Sequence, residues 1–151
     1  MVYNLDEKDL KILDILKQDS SLSTRDIARK TLLPPTTIHN RIKTLKKEGV
    51  IKKFTVELDY DLLDKSLVVY VLISVDVSLL KSKSKTQYDI VDEMKKFEFV
   101  RRVDIVSGGV DLIAMLRLKD IKELDLLLLD KVQSIGGINH TKTLVVIREG
   151  K

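Results

Sequence analysis

Two short helical patterns split by a proline break, a change to period-two apolar spacing after Ser66, and a βαββαβ order from there on predict an α+β chain. The first part is expected to be an N-terminal helix-turn-helix domain, winged-helix-like, over residues 1–59. The second is expected to be a C-terminal ferredoxin-like βαββαβ domain over 67–151, after a polar and acidic hinge at 60–66.

The first helix is read from Leu5 to Lys17. Asp6 is its N-cap, Asp9 stands three residues on as in a capping box, and Leu5 with Leu10 forms a hydrophobic staple. Leu10, Leu13, Leu16, Ile12 and Ile15 give this helix a broad apolar face. After a turn at Asp19-Ser20-Ser21, Ser23 followed by Asp26 starts a second helix that runs to about Lys30. Pro34 ends that run, and Pro35 opens a third helix at a position where its missing N–H costs nothing. Ile38, Ile42 and Leu45 recur at i, i+4, i+7 and join Ile27 and Ala28 in a small three-helix core. Gly49 suits a left-handed helix end, and Val50 to Leu58 is read as a strand, with Lys52 and Lys53 placed like a wing.

The face of the third helix opposite its apolar stripe carries chemistry of another kind. Thr36, Asn40, Lys43 and Lys47 centre on it, flanked by Thr37, Thr44 and His39, and it holds no acid. From Thr36 to Lys53 there are six Lys/Arg, Arg41 among them, against the single acid Glu48, a local balance of +5 where the whole chain carries +4. Taken alone, a lysine-rich helix face is more often merely solvated. Two capped helices, a break and a Thr/Asn/Lys face together point to double-stranded DNA, with short polar groups at base edges and cations at phosphates. The expected DNA-binding residues are Thr36, Thr37, His39, Asn40, Arg41, Lys43 and Lys47, in a helix-turn-helix at about 24–43.

In the second part Leu67, Val69, Val71, Ile73, Val75 and Val77 line one face of a strand, while Val68, Tyr70 and Leu72 make the other face apolar too. A lysine- and serine-rich loop leads to a helix from about Gln87 to Lys96, with Tyr88, Val91 and Met94 on one side. Strands Phe99–Val106 and Val110–Leu118 flank a turn at Ser107-Gly108-Gly109. Asp120 caps a last helix to Ser134, striped by Ile121, Leu124, Leu128, Val132 and Ile135, before Gly136-Gly137 and a closing strand Ile138–Ile147. Helices cover only one face of such a sheet, so the second apolar face, with Ile113 and Met115, calls for a second copy in a two-fold dimer. Leu126 and Leu129, opposite the last helix's stripe, call for a further interface.

Composition narrows the alternatives. At 44% apolar and 33% charged the 151 residues suffice for a real core, and no apolar run approaches the ~20 residues of a membrane span. The N-terminus has neither a basic start nor an apolar signal core, so a cytoplasmic location is expected. There is no cysteine, which excludes disulfides and thiol catalysis, and His39 and His140 lack metal-ligand spacing. No metal, cofactor or catalytic constellation is expected, so the chain is not read as an enzyme. RNA binding through the sheet would need stacking aromatics where Val, Leu and Ile stand. The remaining alternative is a small-molecule sensor whose helical part meets protein rather than DNA.

Several blocks at matching spacing resemble the Lrp/AsnC (feast/famine) family of prokaryotic transcription regulators. They are Leu5-Asp6-x-x-Asp9 with Ile12-Leu13, the run from Ile38 to Ile51, Ser107-Gly108-x-x-Asp111-Leu112, and Gly137-Ile138 with Thr141 and Thr143. The resemblance implies a winged-helix-like DNA-binding domain on a ferredoxin-like effector and assembly domain, dimers that often build octamers, and effectors that are frequently amino acids. Ser107, Gly108, Gly109 and Asp111 are then the effector-binding candidates, and Val68, Tyr70, Leu72, Leu126 and Leu129 the interface candidates. Leu32 stands where the family often has glycine, so another turn geometry is expected there. Pro34 replaces a Ser/Thr cap, and Gly109-Val110 replaces polar and aromatic residues.

Overall fold

In the computed structural model, which describes residues 3–150, the chain divides into two compact units, Met1–Leu58 and Asp59–Lys151. The first is built from α1 (Glu7–Gln18), α2 (Thr24–Thr31) and α3 (Pro35–Lys47). Reciprocal capping boxes start α1 at Asp6/Asp9 and α2 at Ser23/Asp26, satisfying N–H groups that a helix start leaves free. Ile12, Leu16, Ile27, Ala28 and Ile38 form the buried centre, with Ile15, Leu22, Leu33, Ile42 and Ile51 packed around it. Leu10, expected on the apolar face of α1, is half exposed.

The strand expected over Val50–Leu58 does not form: these residues run without a ladder, and Phe54, Val56 and Leu58 are exposed. Their β-favouring composition is real, but a strand needs a neighbour to take its N–H and C=O groups, and the unit offers none. Gly49 does adopt the left-handed conformation, at φ 75°.

The second unit is a four-stranded antiparallel sheet in the order β2-β3-β1-β4, from β1 (Leu67–Val75), β2 (Val100–Ile105), β3 (Leu112–Leu118) and β4 (Ile138–Val145). Val69, Val71, Ile73, Val75, Leu112, Ala114, Leu116 and Leu118 alternate onto one face and are buried. Against that face lie α5 (Gln87–Met94) through Ile90, Val91 and Met94, and α6 (Ile121–Leu127) through Leu124.

α6 passes into a π turn, Leu128–Val132, where the Gln133 N–H reaches back five residues to the Leu128 carbonyl. A turn wider than 3.6 residues keeps Leu124 and Val132, eight positions apart, on the core side.

A short helix absent from the expectation, α4 (Val77–Ser82), follows β1. Asp76 caps it by accepting from the Leu79 N–H at 2.9 Å, so Val77 leaves the strand's inward row and is exposed while Leu80 is buried. Tyr88 and Ile121, expected on core stripes, are exposed in the first turns of their helices, where the stripe runs out. Gly137 follows the last helical turn at φ 109°, and a Cβ there would collide with the Leu80 side chain.

Residues 59–65 are tied to this sheet. The guanidinium groups of Arg101 and Arg117 lie over the Tyr60 ring, 5.2 and 4.2 Å from its centroid, and Lys119 pairs with Asp64. Arg117 also holds Glu149 at 2.8 Å.

Candidate nucleic-acid interface

α3 begins without a side-chain cap. Pro34 occupies the N-cap position and Pro35 the first helical one, and the Pro34 carbonyl accepts from Thr37 and Ile38. The turn before it does not find another geometry: Leu32 itself adopts the left-handed conformation, at φ 59° and ψ 26°, with its side chain 91% exposed. A β-carbon in that region costs about 1–2 kcal/mol, so the turn keeps a glycine-type shape at the expense of strain.

The helix is then divided by burial as its period requires. Ile38 and Leu45 are buried and Ile42 is half-buried, while Thr36, His39, Asn40, Lys43 and Lys47 are exposed and Thr37 is partly so. Six of the seven residues predicted to meet nucleic acid therefore share one accessible surface free of acids.

Arg41 is the exception. Its Nη1 donates to Asp6 Oδ1 and Oδ2 at 2.8 and 2.7 Å and to Asp9 Oδ1 at 2.8 Å. Asp9 is the buried charged residue of the described chain, and its remaining oxygen accepts from the Asp6 N–H. A guanidinium engaged by two carboxylates is neutralised where it stands, so Arg41, expected among the DNA-binding residues, is placed by its contacts in an internal ion cluster. Hydrogen bonds to Asp9 and then Asp6 raise the guanidinium's pKa further. The Asp9 N–H, more than Arg41, holds the Asp6 carboxyl below the usual carboxylate range. Sequence reading saw the acids as caps and the arginine as a surface cation, because nothing local announces a pairing across 32 and 35 positions.

The second candidate cluster lies in the loop between β2 and β3. Ser107, Gly108 and Gly109 are exposed there. The Asp111 carboxylate, expected as an effector ligand, is engaged within the fold: it accepts from the Val75 N–H at 2.9 Å and from Gln87 Nε2 at 3.1 Å. Gln87 opens α5, and the sequence around it offers no local sign of this pairing across 24 positions.

Among the interface candidates, Tyr70, Leu126 and Leu129 are exposed and Leu72 is half-buried. Val68 is 3% exposed within the single chain, which removes it from the accessible surface. It stands opposite Arg117, whose side chain is held down by Tyr60 and Glu149 on the same sheet face.

No helix among the described residues is long and apolar enough to cross a membrane. Residues 5–52 match the family model for winged helix-turn-helix DNA-binding domains, and residues 70–151 match that of the Lrp/AsnC ligand binding domain. The chain is 33% identical over 151 residues to the HTH-type transcriptional regulator FL11 of Pyrococcus abyssi, covering 100% of this chain and 95% of the relative. It is 32% identical over 147 residues to the leucine-responsive regulatory protein of Haemophilus influenzae, covering 97% and 86%. Among solved structures, a Neisseria meningitidis transcriptional regulator in complex with L-Met superposes with a TM-score of 0.90 at 20% identity, covering 98% and 93% of the two chains. E. coli AsnC superposes at 0.84 and 20%, covering 97% and 95%. At those identities the structural likeness speaks for the fold, whereas the sequence matches span both units and carry the assignment. The chain therefore belongs to the Lrp/AsnC family of DNA-binding transcription regulators and is not an enzyme.

Proposed function

We propose that the chain lays α3 in the major groove of duplex DNA, with Asn40, Thr36 and Thr37 at base edges and Lys43, Lys47 and His39 at the phosphates. The observation that supports this most is the division of α3: its apolar side is used up in the core, and what it leaves outward is short polar groups and lysines without an acid. Asn40→Ala should cost ~1–3 kcal/mol on the preferred duplex and much less on a random one. Each of Lys43→Ala and Lys47→Ala should lower the salt slope by about 0.9 on both. Equal losses for Asn40→Ala on the two duplexes would remove it from base reading.

In this reading the regulator works as a two-fold dimer on pseudo-palindromic sites, with residues 1–59 on DNA and 67–151 as the assembly part, and the 60–66 stretch expected as a hinge is held to the sheet of the second unit through Tyr60 and Asp64. Tyr70, Leu72, Ile113, Met115 and Leu144 are neighbours on the sheet face that, among the described residues, no helix of the second unit covers, and a second sheet of the same kind fits them. Leu126 and Leu129 on the outer side of the last helix suit a further contact, towards an octamer. The effector is a small molecule such as an amino acid, held near Ser107–Gly109. Support for it comes from the ligand-binding family model and from the L-Met complex of the Neisseria regulator. Such a ligand shifts assembly only by its difference in affinity between states. Sizing Leu126→Glu/Leu129→Glu against wild type, with and without a panel of amino acids, tests both points: unchanged assembly refutes the interface, and no response in either protein refutes the effector.

A further inference from the structure

Apolar packing turns the Ile38, Ile42 and Leu45 side of α3 inward, and such contacts are non-directional, with no hydrogen-bond geometry of their own. Among the described residues, the bonds from Arg41 to Asp6 and Asp9 are the only side-chain hydrogen bonds from α3 to another helix. Arg41 sits at the edge of the apolar stripe, immediately next to Asn40 in sequence and about 100° from it around the axis. Its partners are fixed in turn, since both carboxylates belong to the capping box that starts α1, and Asp9 is buried.

We infer that Arg41, Asp6 and Asp9 are positioning residues that set the rotation of α3 and thereby aim Asn40, Thr36 and Thr37 at base edges. The inference rests on the reading of α3 as the base-reading helix. The cluster touches no DNA itself and acts on the discrimination between sequences rather than on attraction to the phosphate backbone. A rotation of one side-chain width carries the donor and acceptor of a bidentate amide off their base, while a lysine on a flexible stem still finds its phosphate.

Charge-removing variants separate this from a phosphate role, because the two predict opposite signs. In Asp9→Asn and Asp6→Asn the amide oxygen still accepts the capping bonds, while the carboxylate charge facing Arg41 is lost. Binding of each full-length variant is measured by fluorescence anisotropy on a duplex selected from a random pool by the wild type and on a scrambled duplex, at several salt concentrations. Asp9→Asn should weaken the selected duplex about tenfold, the worth of one base contact, with the scrambled duplex and the salt slope unchanged. If Arg41 instead served phosphate, freeing it would tighten both duplexes, and that result overturns the inference.

Asp6→Asn, at a half-exposed position that leaves Asp9 with Arg41, guards against loss of folding in the buried variant. It should shift the selected-to-scrambled ratio in the same direction by a smaller factor, and an unchanged ratio in folded Asp6→Asn and Asp9→Asn overturns the inference. Asn40→Ala on the same duplexes tells the two readings apart. A ratio that responds to Asn40→Ala and not to the acid variants removes positioning alone, whereas a ratio indifferent to all three removes the base-reading helix with it.

Discussion

Asp111 and Val75 are joined by a 2.9 Å hydrogen bond from the Val75 N–H to the carboxylate, while the other carboxylate oxygen accepts from Gln87. One side chain thus fastens the end of β1, the start of α5 and the approach to β3. Asp111→Ala should lower unfolding stability by about 1–3 kcal/mol in urea without any ligand, since it strands a partly buried N–H. Wild-type stability in that variant would return Asp111 to the effector.

Leu32 carries the strain of the turn before α3 with almost no burial to offset it. Leu32→Gly should therefore raise stability, by up to ~1 kcal/mol after glycine's larger unfolded-state entropy is counted. Thermal and urea unfolding measure it, and a net loss would mean that the exposed side chain has a contact of its own.

The open sheet face gives the assembly prediction. Tyr70→Asp places a charge between Met115 and Leu144, its register neighbours on β3 and β4, and should yield monomers in sedimentation velocity at concentrations where the wild type is dimeric. A wild type that sediments as a monomer ends the proposal of a face-to-face dimer.

Acid should weaken the fold through its helix starts. The carboxyls of Asp26 and Asp89 are held below the usual range chiefly by the side chains of Ser23 and Thr86, and that of Asp6 chiefly by the Asp9 N–H. A depressed folded-state pKa means stability that is complete above the unfolded value of about 4 and lost as pH falls through the folded one. The Tm should decline in that window below pH ~4, and Asp89→Asn should flatten part of the decline.

What could be read in the sequence was local or periodic. The caps at Asp6, Ser23 and Asp120 need only three neighbouring residues, and the stripe of α3 and the inward row of β1 need only their repeats. α4 was hidden because Val77 continues the strand's alternation and six residues are too few to show a new period. Val50–Leu58 has the residues of a strand without the partner, which no local pattern supplies. The role of Arg41 depended on a contact across more than thirty residues, so its charge was legible and its use was not.

The π turn at Leu128–Val132 bears on the length of the chain itself. A five-residue loop-back is how a helix absorbs one surplus residue without turning its downstream half away from its support. The stretch between Leu128 and Val132 should therefore tolerate a deletion, since removing exposed Asp130 would let the backbone relax to ordinary α-helical closure with Leu124 and Val132 still facing the sheet. Relatives one residue shorter here would keep the same core, and an alignment that forced the gap into a neighbouring loop would misplace every outward side chain from Leu129 to Ser134.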